Sequence, residues 1–555
     1  MRSVDVGRFG VCDRWAIRIL ALACCFAGTG GLGACHSQSD GGEAGRRDAS
    51  TDATDSALGT RDSHSPLDGA SDAQPEATVY DALSPAATTF EISPLQLVPP
   101  FSTATHDYYM RCSAGTNTLL VATTAAPGST IALVKPVMTE ASVDLTTTTV
   151  SVNENEALVA AVTTDGVTEE YWVRCLPQNF PPLEMTPHTA PDAGAPPPGY
   201  YLISDVGLAD GAGAFAMALD GNGVPVWYGT TTDGLSAIDV DSVIPGVISY
   251  VPYVEFTYSG VTTQFELQNL SADTTRSVET VGVPLDIHEL QYLANGDTLM
   301  FGNPIVSGVN LTGLSTFGPD EDMLNCIIQE ISPSGAIVWQ WDITDHFDPV
   351  VDSTWPQTQT VDGKTVIDPF HCNSIDVDES GDLLVSVRHM DSIFLISKAT
   401  GTVLWKMGGA TASLDNAPYI TVTGDPLTSF YRQHDARFQP NGNISLFDDQ
   451  TDTAGPARAV VYTYSLASLT AQVVWQYSGV ASSLAMGSFR ILPDGSRIIG
   501  WGLSAAPDQV FTEVDENGTD LLDFAFPSDD FSYRAIKIPT TTFDIDLLRA
   551  TAGTH

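Results

Sequence analysis

The chain has 555 residues, which suggests more than one domain, and 43% of them are hydrophobic, enough for a large core. Its formal net charge of −45 gives a surface that repels nucleic acid and anionic lipid, so neither is an expected partner, and an anionic small substrate would need a local positive site. Gly and Pro are plentiful, with 47 and 34 copies, and helix-period patterns are scarce, which points to an all-β fold of strands and turns.

Residues 1–35 read as a lipoprotein signal. Arg2, Arg8, Arg14 and Arg18 make a basic start, and Ile19 to Phe26 is an apolar core too short to span a bilayer. Leu32-Gly33-Ala34-Cys35 resembles a bacterial lipobox, which would make Cys35 the lipidated residue. The alternative is an ordinary secretory signal cleaved nearby. Either way the chain is expected in a bacterial cell envelope, periplasmic or at the outer surface, with membrane contact through the anchor alone. Residues 36–86 are rich in Ser, Asp, Ala, Gly and Thr and read as a disordered stalk.

Residues 87–178 alternate apolar and polar in short runs such as Thr118 to Ala122, Thr130 to Val134, Thr148 to Val152 and Leu158 to Val162. The pattern suits a small β-sandwich, and it resembles the cadherin-like β-sandwich of bacterial surface proteins. Cys112 in Tyr109-Met110-Arg111-Cys112 and Cys175 in Trp172-Val173-Arg174-Cys175 occupy similar contexts and are expected to pair in an oxidising compartment. No Cys-x-x-Cys spacing exists, which counts against a structural zinc site, and the state of Cys326 and Cys372 stays open. Pro181-Pro182 and Pro196-Pro197-Pro198 mark a linker over residues 179–198.

From residue 199 to about 545 two pieces alternate. One is a turn followed by Trp, as in Asn222-Gly223 to Trp227, Ser334-Gly335 to Trp339 and Thr400-Gly401 to Trp405, with a looser copy ending at Trp475. The other is a hairpin turn between apolar runs at Asn295-Gly296, Ser380-Gly381, Asn441-Gly442 and Asp494-Gly495. Each pair makes about four strands, the size of a propeller blade. The spacing predicts a six-bladed β-propeller preceded by the sandwich, with blades near 199–230, 231–284, 285–345, 368–409, 431–479 and 485–527. Phe531 to Phe543 could add a strand to the first blade and close the ring. A long β-sandwich or a solenoid is the alternative.

Three histidines stand at matched places in this repeat. His288 lies seven residues before Asn295, His434 seven before Asn441, and His371 nine before Ser380. They would face one mouth of the central channel. Hairpin pairing returns Arg388 to the end that holds His371, Asn303 to His288, and Asp448-Asp449 to His434. Three histidines alone suit zinc. A guanidinium among them repels a dication and suits a tetrahedral oxyanion such as sulfate or phosphate. A histidine nitrogen can also attack such a centre and carry the group covalently. The competing reading makes each histidine a structural strand-end residue.

Several segments resemble bacterial arylsulfotransferases. They are Gly199-Tyr200-Tyr201-Leu202-Ile203, Asp220 to Tyr228, His288-Glu289-Leu290 with Leu293 to Asp297, Phe370-His371-Cys372-Asn373-Ser374 with Leu384 to Arg388, Gly401 to Gly409, and Gln433-His434-Asp435-Ala436-Arg437. The resemblance implies a six-bladed propeller that moves a sulfuryl group from a phenolic sulfate ester to an acceptor phenol without a cofactor or nucleotide donor. It implies His434 as nucleophile, His371, His288 and Arg388 as the other catalytic residues, and Asn373 as substrate-binding. The well-studied members carry a close-spaced cysteine pair before the nucleophile, whereas Ala410 to Gln433 contains no cysteine. Their N-terminal domain is also a different sandwich. An ester hydrolase and a non-catalytic propeller binding glycan or protein are the other functions the sequence allows. A homodimer is compatible with all three.

Overall fold

The structure, a computed structural model, describes residues 87–137, 147–188, 195–206, 214–231, 235–252, 263–361, 363–504, 506, 509–528 and 530–554. The signal, Cys35 and the stalk lie outside the described residues. Among the described residues no helix is long and apolar enough to cross a membrane.

The N-terminal part is a two-sheet sandwich. Ala87–Ser93, Thr116–Ala125 and Thr148–Asn153 form one sheet, and Asp107–Arg111, Val167–Leu176, Ala157–Thr164 and Thr130–Lys135 the other. Alternate residues of Thr116–Ala125 are buried, as a strand with one wet face requires. Phe90, Tyr108, Leu119, Val150, Leu158 and Tyr171 fill the space between the sheets. Cys112 and Cys175 form a disulfide across 63 residues.

Six four-stranded antiparallel units follow. In blades two to six the first strand in sequence is innermost. These strands are Ala237–Ile244, Leu285–Tyr292, Cys372–Val377, His434–Phe438 and Ser488–Ile491. The first blade differs. Its own strands Tyr200–Ser204, Phe215–Leu219 and Pro225–Thr230 receive Ala535–Ile538 from the far end of the domain as innermost strand. The six inner strands neighbour one another in a closed ring, so the fold is an all-β six-bladed propeller. Glycines at φ +90° (Gly296) and +80° (Gly442) make the tight hairpin turns that return the second strands.

Four additions decorate the ring. Tyr419–Val422 pairs in parallel with the outer strands Val403–Met407 and Thr470–Ser478 and so joins the fourth and fifth blades into one sheet. Glu184–Pro187, within the stretch read as a linker, pairs with Asp520–Ala525 as a fifth strand of the sixth blade. An inserted sheet of Ile305–Val309, Glu321–Leu324, Lys364–Asp368 and Gln357–Val361 stands beside the third blade. The C-terminal helix Ile545–Thr551 ties the sandwich to the propeller: Arg549 donates to both Asp107 carboxylate oxygens at 2.8 and 2.7 Å, and Arg174 donates to the Arg549 carbonyl.

A second disulfide joins Cys326 to Cys372, 46 residues apart. Cys326 precedes the third strand of blade three, and Cys372 opens the inner strand of blade four, directly after His371. Closing a loop of this length is worth about 4 kcal/mol in the chain-entropy account. The Cys326→Ser/Cys372→Ser double variant should therefore unfold at markedly lower urea concentration than wild type. An unchanged midpoint would show that the bridge does not constrain the unfolded chain.

Candidate active site

The inner strands are not regular where the site residues stand. Register shifts fall between Ile238 and Asp241, Leu285 and Leu290, Cys372 and Ser374, and His434 and Arg437. Bulges of this kind re-aim side chains near functional sites. His371, Asp391, Arg432, Asp435 and Gln450 all have φ between +49° and +59°. Non-glycine residues held there cost about 1–3 kcal/mol each, and such strain gathers where function over-determines geometry.

Each of the three predicted histidines is oriented by a carboxylate. His288 Nδ1 lies 2.7 Å from Asp286 Oδ1, His371 Nδ1 2.7 Å from Asp368 Oδ2, and His434 Nδ1 2.7 Å from Asp449 Oδ2. Asn303, which the hairpin count puts beside His288, donates to the other oxygen of Asp286. A carboxylate on Nδ1 fixes the ring and its tautomer and leaves the Nε2 lone pair for chemistry. The His288 and His371 rings meet edge to face at 4.7 Å between centroids. A further histidine, His389, stacks on His371 at 4.6 Å.

Arg388 is 2% exposed. Its Nη2 donates to the Leu484 carbonyl at 2.6 Å and to Thr451 Oγ1 at 3.3 Å, and Nη1 lies 3.2 Å from His389 Nε2. Its buried Nε has no partner. Asn373 is wholly buried and its amide donates to the Gln433 carbonyl at 2.7 Å, one residue before His434. Gln433 is itself held by Ser386 Oγ, the Val387 carbonyl and the Ser392 carbonyl.

Burial, followed by the charges of Arg388 and the neighbouring imidazoles, pushes His434 well below the usual imidazole range. Its ring is therefore neutral at pH 7. Burial pushes the partner Asp449 up, an effect that Arg388 partly offsets. His371 is lowered to about 4, mainly by burial and against the pull of Asp368. Burial pushes Asp368 up, but His389 and His371 outweigh it and hold the carboxyl below its ordinary range.

The His371 shift has a sign that can be tested. Between about pH 6.5 and 4 the unfolded chain binds a proton at this position that the folded chain refuses, so stability falls as pH drops through that window. The melting temperature of wild type should fall more from pH 7 to pH 4.5 than that of His371→Gln. Parallel curves would mean that His371 titrates normally in the folded state.

Asp368, His371 and His389 also form the one group among the described residues whose ligand atoms, all within 4.8 Å of one another, could hold a metal ion. Those atoms already have hydrogen-bond partners: Asp368 Oδ2 serves His371, and His389 Nδ1 lies 2.8 Å from the Asp368 carbonyl.

Directly beneath the histidines the channel is closed by charge. Arg534 donates to Asp239 at 2.6 Å and to Glu289 at 3.1 Å, Arg437 to Glu289 at 2.6 Å and Asp435 at 2.8 Å, and Arg490 to Asp435 at 2.8 Å. Arg534 also donates to the carbonyls of His288 and Asn373. Every blade contributes, through Arg534, Asp239, Glu289, Asn373, Asp435 with Arg437, and Arg490 in turn. Three cations meet three carboxyl groups in this plug. Tyr533, 1% exposed, packs its ring 5.8 Å from that of His288.

The structure thus brings His288, His371, His434 and Arg388 to one mouth of the ring, with Asn373 just below. Asp368, His389, Tyr533 and Arg534 are the neighbours that sequence reasoning did not find. The mouth of the propeller channel thus gathers carboxylate-oriented imidazoles beside a buried arginine, a donor set suited to an oxyanion. The family model for arylsulfotransferase (ASST) matches residues 260–526, so the resemblance read from the sequence holds over these residues. No curated protein matches the chain. Solved structures that it is similar to include a protein of unknown function from Bacteroides caccae, with 13% identity, 62% of this chain and 99% of that one covered, and a TM-score of 0.37. A virginiamycin B lyase from Staphylococcus aureus has 7% identity, 62% and 88% coverage, and a TM-score of 0.30. A glutaminyl cyclase from Myxococcus xanthus has 15% identity, 48% and 91% coverage, and a TM-score of 0.23.

Proposed function

We propose that this protein is an aryl sulfotransferase that carries the sulfuryl group on His434 between a phenolic sulfate ester and an acceptor phenol. The observation that carries this reading is the set of three imidazoles, each with Nδ1 on a carboxylate, gathered beside an arginine whose buried Nε has no partner. His434 Nε2 attacks sulfur. The S–N bond forms as the S–O bond to the aryl group breaks, and that electron pair leaves on the phenolate. Asp449 stabilises the positive charge that develops on the ring. Arg388 meets the sulfuryl oxygens through Nε, where positioning and charge neutralisation supply most of the catalysis. In the second half-reaction the acceptor phenol gives its proton to His371 or His288, whose Nε2 lone pair is free. Its oxygen then attacks sulfur and the S–N pair returns to His434. The stored proton goes to the next leaving phenolate, which balances the cycle. Asn373 serves the substrate indirectly, by fixing the peptide that carries His434.

The reading predicts release of phenol from a chromogenic aryl sulfate that accelerates when a second phenol is added. Turnover that added phenol does not accelerate would indicate an ester hydrolase. No turnover under either condition would indicate a non-catalytic propeller. Cys35 is proposed to hold the enzyme at the envelope membrane.

A further inference from the structure

Arg388 has three polar partners, but each of them meets a terminal Nη. None lies over the face of the guanidinium. That place belongs to Trp355, whose ring centroid is 4.7 Å from Arg388 Cζ. Trp355 comes from the inserted segment between blades three and four, where the sequence shows no repeat. It is half-buried at the lip of the site.

The segment is anchored to the floor it covers. The backbone amides of Thr354 and Trp355 donate to the His389 carbonyl at 2.9 and 3.1 Å. Thr354 Oγ1 donates to Asp391 Oδ2 at 2.6 Å. Asp391 in turn takes Arg432 Nη1 at 2.7 and 2.6 Å, and the Arg432 guanidinium lies 4.6 Å from the same indole ring. The Trp355 ring also meets His389 edge-on at 5.3 Å. One indole therefore touches the oxyanion arginine, the arginine two residues before the nucleophile, and the histidine that accepts from Arg388.

We propose that Trp355 is a positioning residue of the transfer site, holding the Arg388 guanidinium in the orientation that aims its free Nε at the sulfuryl oxygens. The attraction is that of a cation for the negative face of an indole, which strengthens where water is excluded. The proposal rests on the sulfotransferase reading for its reaction but not for its geometry, so the test has two readouts.

The variants are Trp355→Phe, which keeps a weaker π face, and Trp355→Leu, which keeps apolar bulk without one. Donor kcat/KM should fall about tenfold in Trp355→Leu, equivalent to about 1.4 kcal/mol, and Trp355→Phe should recover most of it. In an Arg388→Ala background the Leu substitution should add nothing. The second readout is protection of the folded protein against heat by inorganic sulfate, which binding to the native state produces. It should weaken in Trp355→Leu and be restored in Trp355→Phe. Kinetics and protection both unchanged in Trp355→Leu overturn the proposal, as does an equal loss in the Leu and Phe variants. A wild type that turns over no aryl sulfate, yet shows sulfate protection that follows Trp355, leaves the geometry standing and sinks the sulfotransferase reading. No turnover and no sulfate protection in wild type would sink both.

Discussion

Replacing His434 with alanine should leave the protein folded and cut sulfuryl transfer by several orders of magnitude. A covalent nucleophile has no substitute in the site, whereas loss of one oxyanion contact costs about 10²–10³ in rate. Arg388→Ala should fall in that lower range. The decisive measurement is intact mass after incubation with donor alone. Wild type should show a sulfuryl adduct, His434→Ala should not, and peptide mapping should put the group on His434. An adduct on His371 or His288 would move the nucleophile to another blade while leaving the fold untouched. Asp449→Asn should retain the adduct but form it more slowly, because an amide can still hold Nδ1 yet offers no charge to the developing imidazolium.

Arg534→Met should cost the fold about 3–5 kcal/mol, the usual effect of removing one partner from a buried ion pair. The guanidinium is 2% exposed and touches Asp239, Glu289, and the carbonyls of His288 and Asn373. Methionine fills similar space but leaves Asp239 without a counter-charge and Glu289 with Arg437 alone. Urea unfolding with the slope compared between variants reads the loss directly. A cost below about 1 kcal/mol would mean that the stranded carboxyl becomes neutral when Arg534 is removed. Asp239 is the candidate for that escape, since burial already raises it to about 7 despite Arg534.

Much of this site is legible in the sequence because hairpins conserve distance. Counting from the Asn441-Gly442 turn reaches His434 on one strand and Asp449 on the other, and the structure joins them at 2.7 Å. The same count reaches Arg388 from His371, and the Arg388 amide donates to the His371 carbonyl at 2.9 Å. The method fails where a partner lies outside the hairpin. Asp368 belongs to the inserted sheet, and Trp355 to an unrepeated segment, so no turn measures their distance from His371. Tyr533 and Arg534 precede an inner strand with no hairpin of its own in sequence, because the first blade borrows it. The charged plug was hidden for another reason. Glu289, Asp435 and Arg437 stand one or three residues past the histidine positions, where register shifts break the regular strand alternation that counting assumes. The Cys326 to Cys372 bridge follows no spacing rule, since it links neighbouring blades.

The borrowed strand orders events in time. Ser204 and Ser532 touch across 328 residues of chain. During synthesis the first blade stays open along its inner edge until Ala535–Ile538 has emerged, and Arg534 arrives with that strand. Asp239 must wait without its cation while four later blades are made. A chain that lacks this strand therefore has an unclosed ring, an unpaired Asp239 and no arginine on the His288 carbonyl. The site is therefore complete only after the last inner strand has been added to the ring.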